Sequence, residues 1–195
     1  GGTWESLKLS KKGVDFAEIV GWSFGQRKVA ESPVKRLLAG GSIQLDEKTV
    51  PRIGLLHCDL GAVTSNYAPV STAELKESRF DLWLLGHIHK PSLKENQDGP
   101  MNGSFGYLGS LVGLDPSESG DHGPWIISFK GSQRPTFKQV LHAPLRWENI
   151  DVSLDGLDDV DDVWEIISSA IEELTLSFSD DESRRPKVVG IRVSL

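Results

Sequence analysis

The sequence predicts an α/β protein in which short apolar strands alternate with helices, and three observations support this. Two continuously apolar segments, Pro51–His57 and Phe80–Leu85, are typical of strands that are covered on both faces. Between them, Ser71 and Glu74 have the spacing of a capping box and predict a short helix that ends near Ser78. A second strand–helix–strand pattern follows from about residue 146. This order is typical of a right-handed crossover between neighbouring parallel strands.

Two strands and a helix are predicted before this unit. Trp4–Leu9 alternates apolar and polar residues, which predicts a half-buried strand, and Val14–Phe24 predicts a second one. Helical spacing runs over Val29–Leu38, and Pro33 places the start of the helix near Ser32, because proline is favoured in a first turn.

Shorter elements follow Leu85. Strands are predicted over Gly103–Leu111, Trp125–Phe129 and Pro135–His142. Polar, loop-like segments are Ser42–Val50, Gly61–Pro69, Ser92–Met101 with a turn at 98–100, and Asp115–Gly123.

The last fifty residues predict a small second domain, incomplete in this chain. Trp147–Leu154 and Lys187–Leu195 are predicted strands, separated by a charged loop over Ser179–Pro186 and an amphipathic helix. The helix is indicated by apolar residues at Val160, Val163, Trp164, Ile167, Ile171 and Leu174. An acidic cluster, Asp158, Asp159, Asp161 and Asp162, precedes or opens this helix, where it favours the helix dipole; calcium or magnesium binding is the alternative.

Composition is that of a soluble globular protein, with 38% hydrophobic and 25% charged residues among 195. The net charge of −7 argues against a generically basic nucleic-acid-binding surface. A single cysteine, Cys58, excludes an intrachain disulfide and is compatible with a reducing cytoplasm. No apolar run approaches the roughly 20 residues that span a membrane, and no signal peptide is evident. The chain starts without methionine and stops inside a predicted strand, so we expect a fragment.

The candidate site is a group of three histidines. Gly86 ends an apolar strand and is followed by His87 and His89, which would face the same side if the strand continued. His57 ends the preceding apolar strand, so a parallel crossover would bring all three imidazoles to one edge of the sheet. Neutral imidazole suits zinc, manganese or iron, so this edge is a candidate metal site. A solvated loop with incidental histidines is the alternative.

Residues beside the histidines have weaker functional interpretations. Asp59 could orient a metal-bound histidine, or could take a helix-cap or turn role. Cys58 alternates away from His57 and is expected to be a buried apolar filler. Lys90 could contact a DNA phosphate.

Other residues are more distant in the sequence. His122 could contact substrate, although an exposed loop histidine is the favoured interpretation, and His142 is expected to be structural. The tryptophans expected in the core are Trp22, Trp83, Trp125 and Trp164.

A strand ending in His57, then Gly86-His87-Ile88-His89, then Tyr107-Leu108-Gly109-Ser110, resembles the C-terminal half of calcineurin-like metallophosphoesterases. The similarity is greatest to SbcD-type DNA repair exonucleases, particularly their YhaO-like branch. Gly21-Trp22-Ser23-Phe24 and Pro144-Leu145-Arg146-Trp147 fit that branch as well.

This resemblance implies part of a four-layer αββα sandwich over residues 1–143 and a DNA-binding capping domain over 144–195. It implies two divalent metal ions, usually manganese, in the intact parent protein, with His57 and His87 ligating one and His89 the other; the isolated fragment could lack both ions. It further implies a DNA repair nuclease of the cytoplasm, with DNA as substrate and an SMC-like ATPase as a frequent partner.

The family's Asp-x-His, Gly-Asp-x-x-Asp and Gly-Asn-His motifs do not occur in this sequence and would lie upstream of Gly1. No residue of this chain is therefore assigned a catalytic role, and we expect the isolated chain to be inactive as a nuclease. Two other functions remain open. One is a metal-poor scaffold for protein binding, as in the retromer subunit of this fold. The other is a phosphatase or cyclic-nucleotide phosphodiesterase of the same superfamily.

Overall fold

The computed structural model describes residues 2–40, 43–45, 47–62, 64–94, 104–129, 136–141, 143–156, 159–178 and 188–194. The chain forms two compact units: Gly1–Gly109 with Trp125–Lys138, and Ser110–Pro124 with Gln139–Leu195. The boundary between residues 143 and 144, drawn from the sequence, stays a prediction. The predicted turn at 98–100 and the charged loop over 179–186 lie outside the described residues.

The prediction of an α/β protein is confirmed as a mixed α/β fold with a central mixed sheet and few helices. The strands are β1 Trp4–Lys11, β2 Val14–Trp22, β3 Arg52–His57, β4 Asp59–Leu60, β5 Pro69–Val70, β6 Leu82–Gly86, β7 Ser104–Tyr107, β8 Trp125–Ser128, β9 Thr136–Gln139, β10 Leu145–Asp151 and β11 Val188–Ser194. The helices are α1 Pro33–Leu38, α2 Thr72–Glu77 and α3 Val160–Ser177.

The central sheet of the first unit has the strand order β1-β2-β3-β6-β7. β1 and β2 form an antiparallel pair, whereas β2, β3, β6 and β7 run parallel to their neighbours. β3 and β6 are adjacent with α2 between them in sequence, so the predicted strand–helix–strand crossover is confirmed.

Local sequence explains where both helices of this unit begin. The Ser32 side chain accepts a hydrogen bond from Lys35 N, and Pro33 occupies the first turn, so α1 starts where proline predicts. Ser71 and Glu74 form the predicted capping box of α2. Val29, which precedes this start, forms an isolated bridge with Tyr67.

Each face of the central sheet carries its own core. α1 and α2 cover one face, where Val34 and Leu75 pack with Trp83 and other buried residues. β8 and β9 contribute to the core of the opposite face, where Phe137 packs with Ile53 and other residues of β3 and β6. Apolar residues on both sides of β3 and β6 explain why these strands are continuously apolar in sequence.

Close packing between β3 and β6 explains a glycine inside β3. Gly54 is the register partner of Trp83, and a Cβ at Gly54 would lie 2.0 Å from Cε3 of the Trp83 ring. That ring is fully buried, stacks on Phe80 with centroids 4.7 Å apart, and donates from Nε1 to Ser78 Oγ. A larger residue at position 54 would therefore collide with the centre of the core.

The second unit contains the parallel pair β10–β11 and α3. The Asp159 side chain caps α3 by accepting from Asp161 N, and Asp162 also lies in the first turn, as the dipole interpretation predicts. Asp158 lies outside the described residues.

The expectation that Trp164 belongs to the core is wrong, because its side chain is 63% exposed. None of the residues of α3 is buried, so helical periodicity alone did not predict burial. The remaining expectations hold to different degrees: Trp22 and Trp83 are buried, and Trp125 is half-buried against the core around Phe137.

In the described part of the chain, no helix is both long and apolar enough to cross a membrane.

Candidate metal centre

His57 and His87 lie side by side at the carboxyl ends of β3 and β6. The register pairs His57 with Gly86, so the two strands end together, and the imidazole centroids of His57 and His87 are 5.2 Å apart. The proximity predicted from the parallel crossover is thus confirmed for this pair. Gly86 leaves room for the His57 ring, since a Cβ at this position would lie 3.1 Å from Nδ1 of His57 and the ring would have to move by a few tenths of an ångström.

Two aromatic side chains, Phe24 and Tyr67, pack against His57 and His87. The His57 ring packs edge-on against Phe24, with centroids 5.8 Å apart, and the half-buried His87 stacks on Tyr67 at 5.0 Å. Tyr67 is 50% exposed, and its carbonyl accepts a hydrogen bond from Asp59 N. Each imidazole therefore has an aromatic ring in contact with it, Phe24 at His57 and Tyr67 at His87.

The backbone departs from strand geometry immediately after Gly86. His87 has a φ of 109°, a conformation that side chains other than glycine rarely adopt. His87 and His89 are consequently not alternate residues of a strand, and the prediction that they face one side for that reason is wrong, because β6 ends at Gly86. Such strain is found preferentially at functional sites.

His89 is exposed and lies in the loop that follows. Gly109, with a φ of 77°, lies against this loop: a Cβ there would be 2.8 Å from His89 O and from Pro91 Cδ. The glycine of the Tyr-Leu-Gly-Ser segment thus permits close approach of the loop that carries His89.

Tyr107 connects β7 to the segment after His57. Its hydroxyl donates to Cys58 O at 3.2 Å and accepts from Leu60 N at 2.8 Å. Burial raises the pKa of Tyr107, although the hydrogen bond from Leu60 N opposes the shift. The hydroxyl therefore remains protonated and can make both bonds.

The electrostatics favour a neutral imidazole at His57. Partial desolvation, followed by the nearby His87 and His89, lowers the pKa of His57 below its ordinary value. Neutral imidazole is the form that ligates metals, so this environment fits a metal ligand.

Imidazole nitrogens are suitable ligands for a transition metal, but the described residues supply too few of them to complete a site. His57 and His87 supply two adjacent imidazoles, and His89 is near enough to affect the pKa of His57. Within the described ranges, no group of three His, Cys, Asp or Glu side chains is arranged to hold a metal ion. Further ligands would be needed to complete a site here.

The neighbours of the histidines have separate roles. Cys58 is fully buried in the core, as expected, and burial raises the pKa of its thiol to about 12. Asp59 is half-buried and belongs to β4, rather than to a helix cap. Lys90 is exposed beside His89, and its predicted contact with DNA stays a prediction.

His122 belongs to the second unit and is 2% exposed, so its interpretation as an exposed loop histidine is wrong. Its Nε2 lies 3.0 Å from Glu118 O and its Nδ1 3.0 Å from Ser110 Oγ, and these bonds compensate for burial. The residues next to His122 in the sequence do not predict its burial, because its hydrogen-bond partners come together only when the loop folds back on itself. His142 lies outside the described residues.

Comparison with known proteins supports a metallophosphoesterase-like family for this chain and, at most, a hydrolase of the phosphoesterase type. The chain is 23% identical over 172 residues to an uncharacterized metallophosphoesterase, YhaO, of Bacillus subtilis (strain 168). The match covers 87% of this chain but 40% of that protein, so the chain spans well under half the length of its relative. No protein-family model matches the chain. The mixed α/β fold is compatible with a phosphoesterase-like fold.

Proposed function

We propose that this chain is part of a metal-dependent DNA repair nuclease, an exonuclease or endonuclease that hydrolyses phosphodiester bonds. In this proposal His57 and His87 hold one divalent metal ion, manganese in the cell, and His89 a second. The observation that supports it best is the pair of imidazoles, 5.2 Å apart, at the carboxyl ends of two neighbouring parallel strands.

Divalent ions bound at such a site supply positive charge beside phosphoryl oxygens and lower the pKa of water. The contribution of this chain is to orient the imidazoles and to favour the neutral form of His57. Gly86 gives the His57 ring room, Tyr67 stacks on His87, and desolvation lowers the pKa of His57. The missing carboxylate ligands would come from residues upstream of Gly1, and the proposal expects Asp-x-His, Gly-Asp-x-x-Asp and Gly-Asn-His there in the parent gene.

The exposed apolar residues on one face of the central sheet support the proposed four-layer sandwich. Leu55 follows Ile53 on that face and is 37% exposed, and Leu7, which pairs with Ile19 of β2, is 62% exposed. In the proposed sandwich a second sheet would cover them. The four layers would then be helices, two sheets and helices.

Residues 144–195 would serve as part of the capping domain, with DNA as the ligand of the whole protein and an SMC-like ATPase as its partner in the cytoplasm. Lys90, exposed beside His89, is the candidate phosphate contact. The acidic net charge of −7 restricts any DNA contact to local basic positions of this kind.

Metal binding tests the proposal directly. Calorimetric titration of the chain with Co²⁺ and with Mn²⁺ should give binding that His57→Ala or His87→Ala weakens by at least about tenfold, since even neighbours of ligands contribute this much. Lys11→Ala, at the exposed end of β1, is the control and should bind as wild type. Equal affinity of wild type and both histidine variants would refute the metal assignment.

A scaffold for protein binding is the second candidate. The lack of a complete three-ligand group within the described ranges favours it. A wild-type chain that binds neither Co²⁺ nor Mn²⁺, and a parent gene without the upstream motifs, would support the scaffold over the nuclease.

A further inference from the structure

We propose that Tyr107 is a positioning residue that sets the spacing between the segment after His57 and the loop that carries His89. The inference rests on the proposed function, because it concerns the residues assigned to the metal site. Tyr107 is 8% exposed and lies on β7, two strands away from β3 in the sheet.

The side chain of Tyr107 binds the segment that follows His57. The hydroxyl donates to Cys58 O at 3.2 Å and accepts from Leu60 N at 2.8 Å, so it holds both residues that flank Asp59. Since Cys58 is the next residue after His57, these bonds fix the direction in which the chain leaves β3. Cys58 N in turn donates to Gly86 O at 3.2 Å.

The backbone of Tyr107 binds the other loop. Its carbonyl accepts from Ser92 N at 2.9 Å and from Leu93 N at 3.2 Å, and its N–H donates to Ser92 Oγ at 2.9 Å. Ser92 lies three residues after His89. Gly109, two residues after the end of β7, lies close to His89 O, so the chain at and just after the end of β7 contacts this loop at two points.

One buried residue is therefore hydrogen-bonded to both histidine-bearing segments. The strands place His57 and His87 at one edge, but the strands end at His57 and Gly86. Beyond these residues the central sheet no longer pairs the two segments with each other. The segment after His57 pairs with β5, and the bonds of Tyr107 link this segment to the loop that carries His89. The hydroxyl is the part of the residue that reaches the His57 segment, so it can be removed without altering the backbone bonds.

Tyr107→Phe removes that hydroxyl and keeps the ring. Ser78→Ala is the matched control, because Ser78 Oγ also bridges two elements: it accepts from Trp83 Nε1 and donates to Leu75 O near the other end of β6. Both variants are compared with wild type by urea unfolding, by Co²⁺ titration, and by the NMR resonance of His57 Hε1 in the metal-free chain. That proton reports ring currents from Phe24, so it moves when the His57 ring is displaced.

We expect both variants to lose stability, whereas Tyr107→Phe alone shifts the His57 resonance and weakens Co²⁺ binding by about tenfold. An unchanged His57 resonance in Tyr107→Phe, or an equal change in Ser78→Ala, would overturn the positioning role. A wild-type chain that binds no Co²⁺ would overturn the proposed metal function instead, and the metal-free resonance would still decide the role of Tyr107.

Discussion

Gly54→Ala tests whether the packing between β3 and β6 controls both stability and the histidine pair. The added Cβ would lie 2.0 Å from Cε3 and 2.3 Å from Cζ3 of Trp83. Carbon atoms pack at about 3.5–4.0 Å, so the ring and strand must separate by about 1.5–2 Å. Trp83 has no free space, because it is fully buried, stacks on Phe80 and donates to Ser78 Oγ.

Overpacking of this kind costs about 1–3 kcal/mol, and the distance places Gly54→Ala at the upper end of that range. The loss of chain entropy in the unfolded state offsets about 0.4–1 kcal/mol. We expect a net loss of about 2 kcal/mol, which for a chain of this length lowers Tm by about 4–8 °C.

The assay is urea and thermal unfolding followed by circular dichroism. Gly21→Ala is the control, because Gly21 lies in the neighbouring strand and the nearest atoms to its added Cβ, both of Leu55, are 3.8 Å away. It should change the free energy of unfolding by less than about 0.5 kcal/mol. Gly54→Ala in a Trp83→Phe background should cost less than in wild type, by about 0.5–3 kcal/mol of coupling.

The reasoning is refuted if Gly54→Ala unfolds at the same urea concentration as wild type, or if the two glycine variants are equally destabilised. The same variant should move the His57 Hε1 resonance, because Gly54–Trp83 and His57–Gly86 are register pairs of one strand ladder.

Three further predictions concern buried or titrating groups. Cys58 is fully buried, and the pKa of its thiol is raised to about 12, so it should not react with a disulfide reagent at neutral pH until the chain is unfolded; rapid reaction of the native chain would contradict this. Arg52→Met should lower the free energy of unfolding in urea by about 3–5 kcal/mol, because it leaves Glu18 buried without its 2.6 Å ion pair. The double variant Arg52→Met/Glu18→Leu should recover most of that free energy. Equal stability of the single and the double variant would refute this prediction. Because the pKa of His57 is lowered in the folded chain, the unfolded chain binds more protons at this residue below about pH 6.5. The free energy of unfolding should therefore fall as pH decreases through this region. An NMR titration of His87→Ala should show a higher pKa for His57 than in wild type, because His87 contributes to lowering it.

Local chemistry was predictable where the residues that decide it are close in sequence. The capping box of α2 joins Ser71 to Glu74, and the start of α1 depends on Ser32 and Pro33. The strand–helix–strand pattern was also sufficient to place His57 and His87 together, because parallel neighbours end at the same edge.

Contacts that join distant segments were not predictable in this way. Tyr107 contacts Cys58 and Leu60 across 49 and 47 residues, and Tyr67 stacks on His87 from a loop that carries no motif. The burial of His122 likewise depends on hydrogen bonds with Ser110 Oγ and Glu118 O, which only the folded loop brings together.

In α3, the periodicity of apolar residues predicted the helix correctly but not its burial. Trp164 is nevertheless 63% exposed. The spacing of apolar residues indicates which residues share a helix face, but it does not indicate whether another element covers that face.

The sequence by itself determined the α/β class, the helix starts and the edge of the sheet at which the histidines gather. These depend on backbone preferences and on the period of apolar residues, both of which are local. Only the tertiary structure decided that β6 ends at Gly86, that His87 is held at a φ of 109° beside Tyr67, and that Tyr107 is bonded to both histidine-bearing segments. Sheet order brings these residues together, and no short stretch of the chain encodes that order.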